Sequence, residues 1–166
     1  MSILSSTQTG KSAFLVPYDK RELRIMIDKA ITDNGKNCSL NHIDVSNITD
    51  MSNLFRFNKA RYFDGDISKW NVSNVVDMSE MFKDSYFTGI NGDISNWDVS
   101  NVADMSEMFE NSLFRGDIHN WRTDWVYNTN GIFKNCLIPY SKIPKDLIER
   151  YSYDYLVGIL GSERYS

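Results

Sequence analysis

Asp50, Asp77 and Asp104 each open an Asp-Met-Ser triplet, and 27 residues separate each from the next. Carboxylates recurring at one step could line up to hold a cation, or could share protons as acid and base. Glu80 and Glu107, three residues after the second and third of them, offer a different account. Asp-x-x-Glu has the spacing of a capping box, in which the first side chain accepts a backbone N–H at a helix start. Repeated like charges repel unless each meets such donors, so capping of one short helical turn per unit explains the column best. Those turns would carry Met81 and Phe82 inward. A second acidic column, Asp66, Asp93 and Asp117, follows Gly65, Gly92 and Gly116. Ordinary turn chemistry accounts for it, and no EF-hand spacing accompanies it.

Other reactive side chains are sparse. His42 and His119 are the two histidines, and His119 stands where Ser68 and Ser95 stand in neighbouring units, a variable surface position. Cys38 and Cys136 lie far apart with no His or Cys cluster near them, so reduced, idle thiols are expected rather than zinc ligands. Gly10-Lys11-Ser12 invites a phosphate-loop reading, but the first glycine of that motif is missing and no strand signal precedes it. No G-x-S-x-G, dinucleotide-binding glycine pattern or H-E-x-x-H occurs. The expectation is therefore no catalytic, cofactor-binding or metal-binding residue and no enzyme activity.

The residues that would position any site form a repeat. Phe55, Phe82, Phe109 and Phe133 step by 27, 27 and 24; Gly65, Gly92 and Gly116 step by 27 and 24, as do Trp70, Trp97 and Trp121. "WRTDWVYNTNGIFKN" from Trp121 aligns as an eroded copy of "WDVSNVADMSEMFEN" from Trp97, so Asn128 replaces Asp104. The three-residue shortening places a variable loop between Phe109 and Gly116. Units this small cannot bury an apolar face alone, so stacking must build the core. Within a unit, Ile67, Trp70, Val72, Val75, Met78, Met81 and Phe82 recur at steps that fit neither a helix nor a long alternating strand. Short strands joined by corners, with equivalent residues about 4.8 Å apart, would suit that spacing. The glycines would supply corners with unusual dihedrals. The fold class expected is an α+β repeat protein: a short right-handed β-solenoid of about four coils of 24–27 residues.

Both ends of such a stack need covers. Asp19 with Glu22 reads as a capping box, Leu23, Met26, Ile27, Ala30 and Ile31 form one apolar stripe, and Gly35 ends the helix. Downstream, Pro144 begins a second helical signal, with Leu147, Ile148 and Tyr151 available to close the last coil. The division expected is a tail over 1–17, a capping helix over 18–36, the repeats over 37–136 and a C-terminal cap over 137–166. The apolar run from Tyr151 to Leu160 reads equally as strand, helix or docking patch.

"GDISNWDVSNVADMSEMF" resembles the repeat of BspA-type leucine-rich-repeat surface proteins of bacteria, mycoplasmas, some phages and protists. "KRELRIMIDKAITDNGKNCSLNHIDVSNITDMSNLF" is similar to that family's helical lead-in and first coil, so the resemblance spans about residues 18 to 136. It implies a leucine-rich-repeat-like, non-enzymatic solenoid that acts by adhesion or partner binding, and it supplies no catalytic residues.

A chain of 166 residues with 42% hydrophobic residues can bury one real core. Its net charge of −4 argues against nucleic-acid binding, which needs a clustered basic surface. No run of 18 apolar residues and no signal-peptide pattern occurs, which favours a cytoplasmic location over a cell-surface one with its export signal removed. The function expected is protein–protein interaction, as a small cytosolic inhibitor of the toxin-immunity or phage anti-defence kind; the alternative is a fragment of a bacterial surface adhesin or structural surface protein. Contacts are expected where units differ while the frame persists. Those positions are Arg56, Phe57, Lys59, Arg61 and Tyr62 in one unit, Lys83, Tyr86 and Phe87 in the next, and Glu110, Leu113 and Arg115 in the third. If the aspartate column is structural, Asp77→Asn should cost at most about 1 kcal/mol. Calcium should leave the melting temperature of both forms unchanged, as read by circular dichroism.

Overall fold

The computed structural model describes residues 15–150, so the Gly10-Lys11-Ser12 stretch and the run from Tyr151 to Leu160 lie outside the described residues. Helix α1 spans Lys20–Asn34. Asp19 starts it in an extended conformation, its carboxylate accepting the Glu22 N–H at 2.8 Å, while Glu22 Oε2 accepts the N–H of Tyr18 at 2.6 Å. At the other end Gly35 takes φ 86° and donates its N–H to Ile31 at 2.9 Å, a left-handed termination that a Cβ would strain. Leu23, Ile27, Ala30 and Ile31 are buried on one face. Residues 145–150 are also helical and bury Leu147.

Between these helices, peptide groups of successive units are hydrogen-bonded head to tail. The carbonyl of Asp77 accepts the Met51 N–H at 2.8 Å; the N–H of Met78, in the same peptide plane, donates to Asp104 at 2.9 Å; Met105 in turn donates to Asn128 at 2.9 Å. Parallel files run through Asn53, Ser79–Glu80, Ser106–Glu107 and Asn130, and through Phe55, Met81–Phe82, Met108–Phe109 and Ile132, at 2.8–2.9 Å. Between them, alternate N–H groups stay within the unit and close turns, as Met81 does to Met78 (3.2 Å) and Lys83 to Glu80 (3.1 Å). This division requires left-handed residues in the middle of each turn. Asn53, Glu80, Glu107 and Gly131 supply them at φ 58°, 56°, 55° and 65°.

Side chains follow the same register. The rings of Phe55, Phe82, Phe109 and Phe133 lie nearly parallel with centroids 5.2, 5.6 and 6.0 Å apart. Trp70, Trp97 and Trp121 form a second column at 6.5 and 6.4 Å. Each indole N–H reaches back to a carbonyl of the preceding unit: Leu40, Ile67 and Ile94, at 3.0, 3.3 and 3.0 Å. A buried indole thus keeps its hydrogen bond while its ring fills the core.

A charged column runs beside the rings. Glu110 is 5% exposed and accepts from Lys83 and from Lys134, both at 2.7 Å. Lys83 also pairs with Glu107, and Arg56 with Glu80 and Asp84, so cations and carboxylates interleave across three interfaces. Burial alone would raise the Glu110 pKa, but the Lys134 and Lys83 ammonium groups outweigh it and hold it down at about 2.

Four expectations need correction. No β-solenoid is present: among the described residues no strand or sheet forms, and units meet through isolated parallel bridges such as Asp50–Asp77, Asp77–Asp104 and Asp104–Asn128. A strand needs several consecutive extended residues, whereas here the chain turns directly after each bridge. The Asp-x-x-Glu segments cap no helical turn. Asp50, Asp77 and Asp104 accept the N–H two residues on, from Ser52, Ser79 and Ser106 at 2.7–2.8 Å, and Glu80 and Glu107 occupy left-handed positions instead. An asparagine can accept the same bond. Gly65 and Gly92 serve close approach rather than unusual dihedrals, because a Cβ on Gly92 would stand 2.5 Å from the Gly65 carbonyl oxygen. Finally, the length differences between units sit elsewhere. Phe63, Phe87, Phe114 and Ile138 are buried, and the second and third of these stack on the Phe before them at 6.2 and 6.0 Å, so this column steps by 24, 27 and 24 residues. The extra residues therefore lie within 56–62 in one unit and 88–91 in the next.

Gly92→Ala should destabilise the protein by about 1–3 kcal/mol in urea denaturation, because backbone rather than a yielding side chain must move. The depressed pKa of Glu110 means that its pairing stabilises the fold fully above the ordinary value of 4.5 and that this is lost as pH falls toward about 2. Glu110→Gln should consequently lower the melting temperature at pH 7 and flatten its fall over that acid window.

Candidate functional site

The segments that follow the charged column leave the core and expose a row of large side chains. Tyr62 and Tyr86 are 51% and 45% exposed, with ring centroids 5.3 Å apart. The Tyr86 N–H donates to Arg61 at 2.9 Å, and the Leu113 N–H donates to Ser85 at 3.2 Å, which sets Leu113 (44% exposed) beside Tyr86. Leu137, 72% exposed, stands at the same place one unit on, after Cys136, whose sulfur accepts from Ser112 Oγ at 3.6 Å. The pattern behind this row is simple: its residues precede Phe63, Phe87, Phe114 and Ile138, which point inward.

Three cations border the row. Arg61 sits with its guanidinium 5.9 Å from the Tyr86 ring centroid and donates to the Asp84 carbonyl at 2.8 Å. Arg115 donates to the Leu113 and Phe114 carbonyls at 3.4 and 3.1 Å, and its own N–H reaches Thr88 at 2.9 Å. Lys59 reaches Thr32 Oγ1 on α1 at 2.7 Å. Among the described residues no carboxylate pairs with Lys59, Arg61 or Arg115. Phe57, half exposed, lies under the Arg56 guanidinium at 4.8 Å.

The eleven expected contact residues therefore divide. Phe57, Lys59, Arg61, Tyr62, Tyr86, Leu113 and Arg115 come together on or beside this exposed row. Phe87 does not: it is fully buried, stacked on Phe82 at 4.6 Å. Glu110 is buried within the charged column, and Lys83 and Arg56 are largely consumed by it, with side chains 14% and 25% exposed. Variation between units marked Arg56, Lys83 and Glu110 because the charged column changes sign along its length, which sequence comparison cannot distinguish from a changing contact surface, while Phe87 was marked along with its exposed neighbour Tyr86. Leu137 escaped notice because the 24-residue step hid its alignment with Leu113. The Tyr-Phe, Tyr-Phe, Leu-Phe, Leu-Ile doublets are the signal that finds it.

Other chemistry is accounted for within the frame. Asp66, Asp93 and Asp117 accept the N–H groups of Ser68, Ser95 and His119 at 2.9, 2.9 and 3.0 Å. The His119 ring lies 2.6 Å from Asp117 at an exposed corner. Cys38 and Cys136 are free, and burial raises the Cys38 pKa, keeping the thiol protonated. Among the described residues no group of three His, Cys, Asp or Glu side chains could hold a metal ion, and no helix is long and apolar enough to cross a membrane. A recess of about 170 Å³ between Phe133, Cys136, Ile138 and Ile143 contains no charged group. Trp125 and Tyr127, 76% and 80% exposed, belong to a different column, where Trp125 replaces Asn101 and gives up that residue's hydrogen bond to the preceding unit.

No characterised protein and no solved structure matches the chain. A family model does match, over residues 22–145, from within α1 to the start of the second helical segment; its description is a Mycoplasma protein of unknown function, DUF285. That is a different designation from the BspA-type proteins that the repeat resembles. With some three quarters of its length matched, the chain belongs to the DUF285 family.

Proposed function

We propose that this protein is a non-enzymatic protein-interaction module whose contact face is the row Tyr62–Tyr86–Leu113 with its bordering cations, and that it works as a stoichiometric binder and inhibitor of a protein partner. The observation that carries the reading is exposure that the frame does not require. Each of these side chains is followed by a buried neighbour (Phe63, Phe87 or Phe114) that already satisfies the core, yet the exposed position holds a large apolar or aromatic group in successive units. Aromatic and arginine side chains are the ones from which binding hot spots are most often built. A contiguous apolar strip rimmed by polar groups is the ordinary form of a protein contact surface. The charged column behind the row supports the reading as well, since it locks the segments that present these side chains and lowers the entropy lost on binding.

Site-specific photo-cross-linking tests it. With a benzophenone side chain placed singly at Tyr62, Tyr86 or Trp125 and exposed to extract of the native host, one discrete protein adduct should form at Tyr62 and Tyr86 and not at Trp125. An adduct confined to Trp125 would move the contact face away from the row, and equal labelling at all three would remove any specific face.

A further inference from the structure

Resting on the contact face just described, we infer that the partner presents an acidic segment, with carboxylates meeting Lys59, Arg61 and Arg115 while an apolar or aromatic side chain lies along Tyr62, Tyr86 and Leu113. The inference comes from how charge is distributed over the fold. The protein carries a net charge of −4, and on this flank its carboxylates are engaged by partners within the fold. Glu80, Glu107 and Glu110 are engaged by Arg56, Lys83 and Lys134. Asp84 is tied to Arg56 and to Asn111, and Asp64 accepts both the N–H and the hydroxyl of Thr88 at 2.8 and 2.7 Å. What the row adds at its border is three cations that no carboxylate of the described residues pairs with, on an acidic molecule. Among the described residues the three cations are held in place by backbone carbonyls and Thr32 rather than by ion pairs with carboxylates. A carboxylate arriving there gains a charge-assisted hydrogen bond without first breaking an ion pair.

The geometry also limits the anion. The cations are held at different places, Lys59 at Thr32 of α1, Arg61 at the Tyr86 ring and Arg115 at the Leu113 carbonyl, rather than converging on one point, which suits spaced carboxylates with apolar side chains between them. A nucleic acid would add the same negative charge but would meet the protein's overall acidity along its whole length. Local cations within a screened distance favour a short acidic peptide segment instead.

The experiment is titration of the full chain with fluorescein-labelled poly(Glu,Tyr), with poly(Lys,Tyr), poly(Glu) and poly(dT) as separate probes, followed by anisotropy. Poly(Glu,Tyr) should bind best, poly(Glu) more weakly, and poly(Lys,Tyr) not at all. Raising salt from about 50 to 300 mM should weaken the poly(Glu,Tyr) complex severalfold. The combined Lys59→Gln, Arg61→Gln, Arg115→Gln variant should bind it about tenfold more weakly or worse while its circular dichroism spectrum stays that of the folded wild type, since Lys59 and Arg61 are exposed and Arg115 is half-buried. Lys69→Gln, an exposed cation elsewhere, should bind as the wild type does. Binding of poly(Lys,Tyr) at least as tight as poly(Glu,Tyr), or a triple variant that binds undiminished, would overturn the acidic partner. Tighter binding to poly(dT) would replace it with a nucleic acid. None of these outcomes touches the location of the contact face, which the cross-linking at Tyr62 and Tyr86 decides by itself.

Discussion

The structure depends on the head-to-tail hydrogen bonding of peptide groups from one unit to the next. A peptide plane such as Asp77–Met78 accepts from the unit before through its carbonyl and gives to the unit after through its N–H. Each bond in such a file polarises its neighbours, so the file is worth more than its members taken separately. The files also fix the distance between units, which in turn brings the phenylalanine rings into contact and leaves no room for a side chain at Gly92. The alternate peptides close turns within a unit, and that second duty is what prevents a sheet. Here the same hydrogen-bonding groups that would lengthen a ladder are already spent.

The price of this arrangement is backbone strain at Glu80 and Glu107, since residues with a long side chain seldom adopt a left-handed conformation. Asn53 and Gly131 hold the equivalent positions in the outer units with less strain. The glutamates have a compensating use: from there Glu80 reaches Arg56 and Glu107 reaches Lys83, so a strained backbone position becomes a member of the charged column. That column, in turn, holds the base of the exposed row. Packing, electrostatics and the candidate contact face are thus three layers of one arrangement, each resting on the register of the layer beneath.

Much of that register could be read from the sequence. The spacing of Trp70, Trp97 and Trp121 and of the phenylalanines declared which residues would stack, because rings in register must recur at the unit length. The substitution of Asn128 for Asp104 also aligned correctly through the eroded unit. What spacing did not reveal was the backbone. Valine, isoleucine and tryptophan favour strands on average, but the Asp-x-Ser and left-handed positions turned the chain before any strand could lengthen. Nor did it reveal that two length differences compensate, since a 27-residue step between tryptophans conceals a 24-residue step between Phe63 and Phe87. At the candidate face, sequence variation pointed to the right segments but could not separate Tyr86 from its buried neighbour Phe87. Which of two adjacent aromatic residues faces water is decided by the turn between them.

The common direction of the peptide files has an electrical consequence. Dipoles aligned along one axis add, as they do in a helix, so the files place partial negative charge at the end where the carbonyls of Asp50, Ser52 and Leu54 terminate and partial positive charge at the far end. Helix α1 sets cations beside that negative end: the Lys20 ammonium lies 2.5 Å from the Asp50 carboxylate and 2.7 Å from Ser52 Oγ, and the Arg24 guanidinium lies 2.5 Å from the carbonyl of Asn53 in the adjoining turn. The helix that covers the first unit is therefore also its counter-charge, and its basic residues serve the pole as its apolar face serves the core.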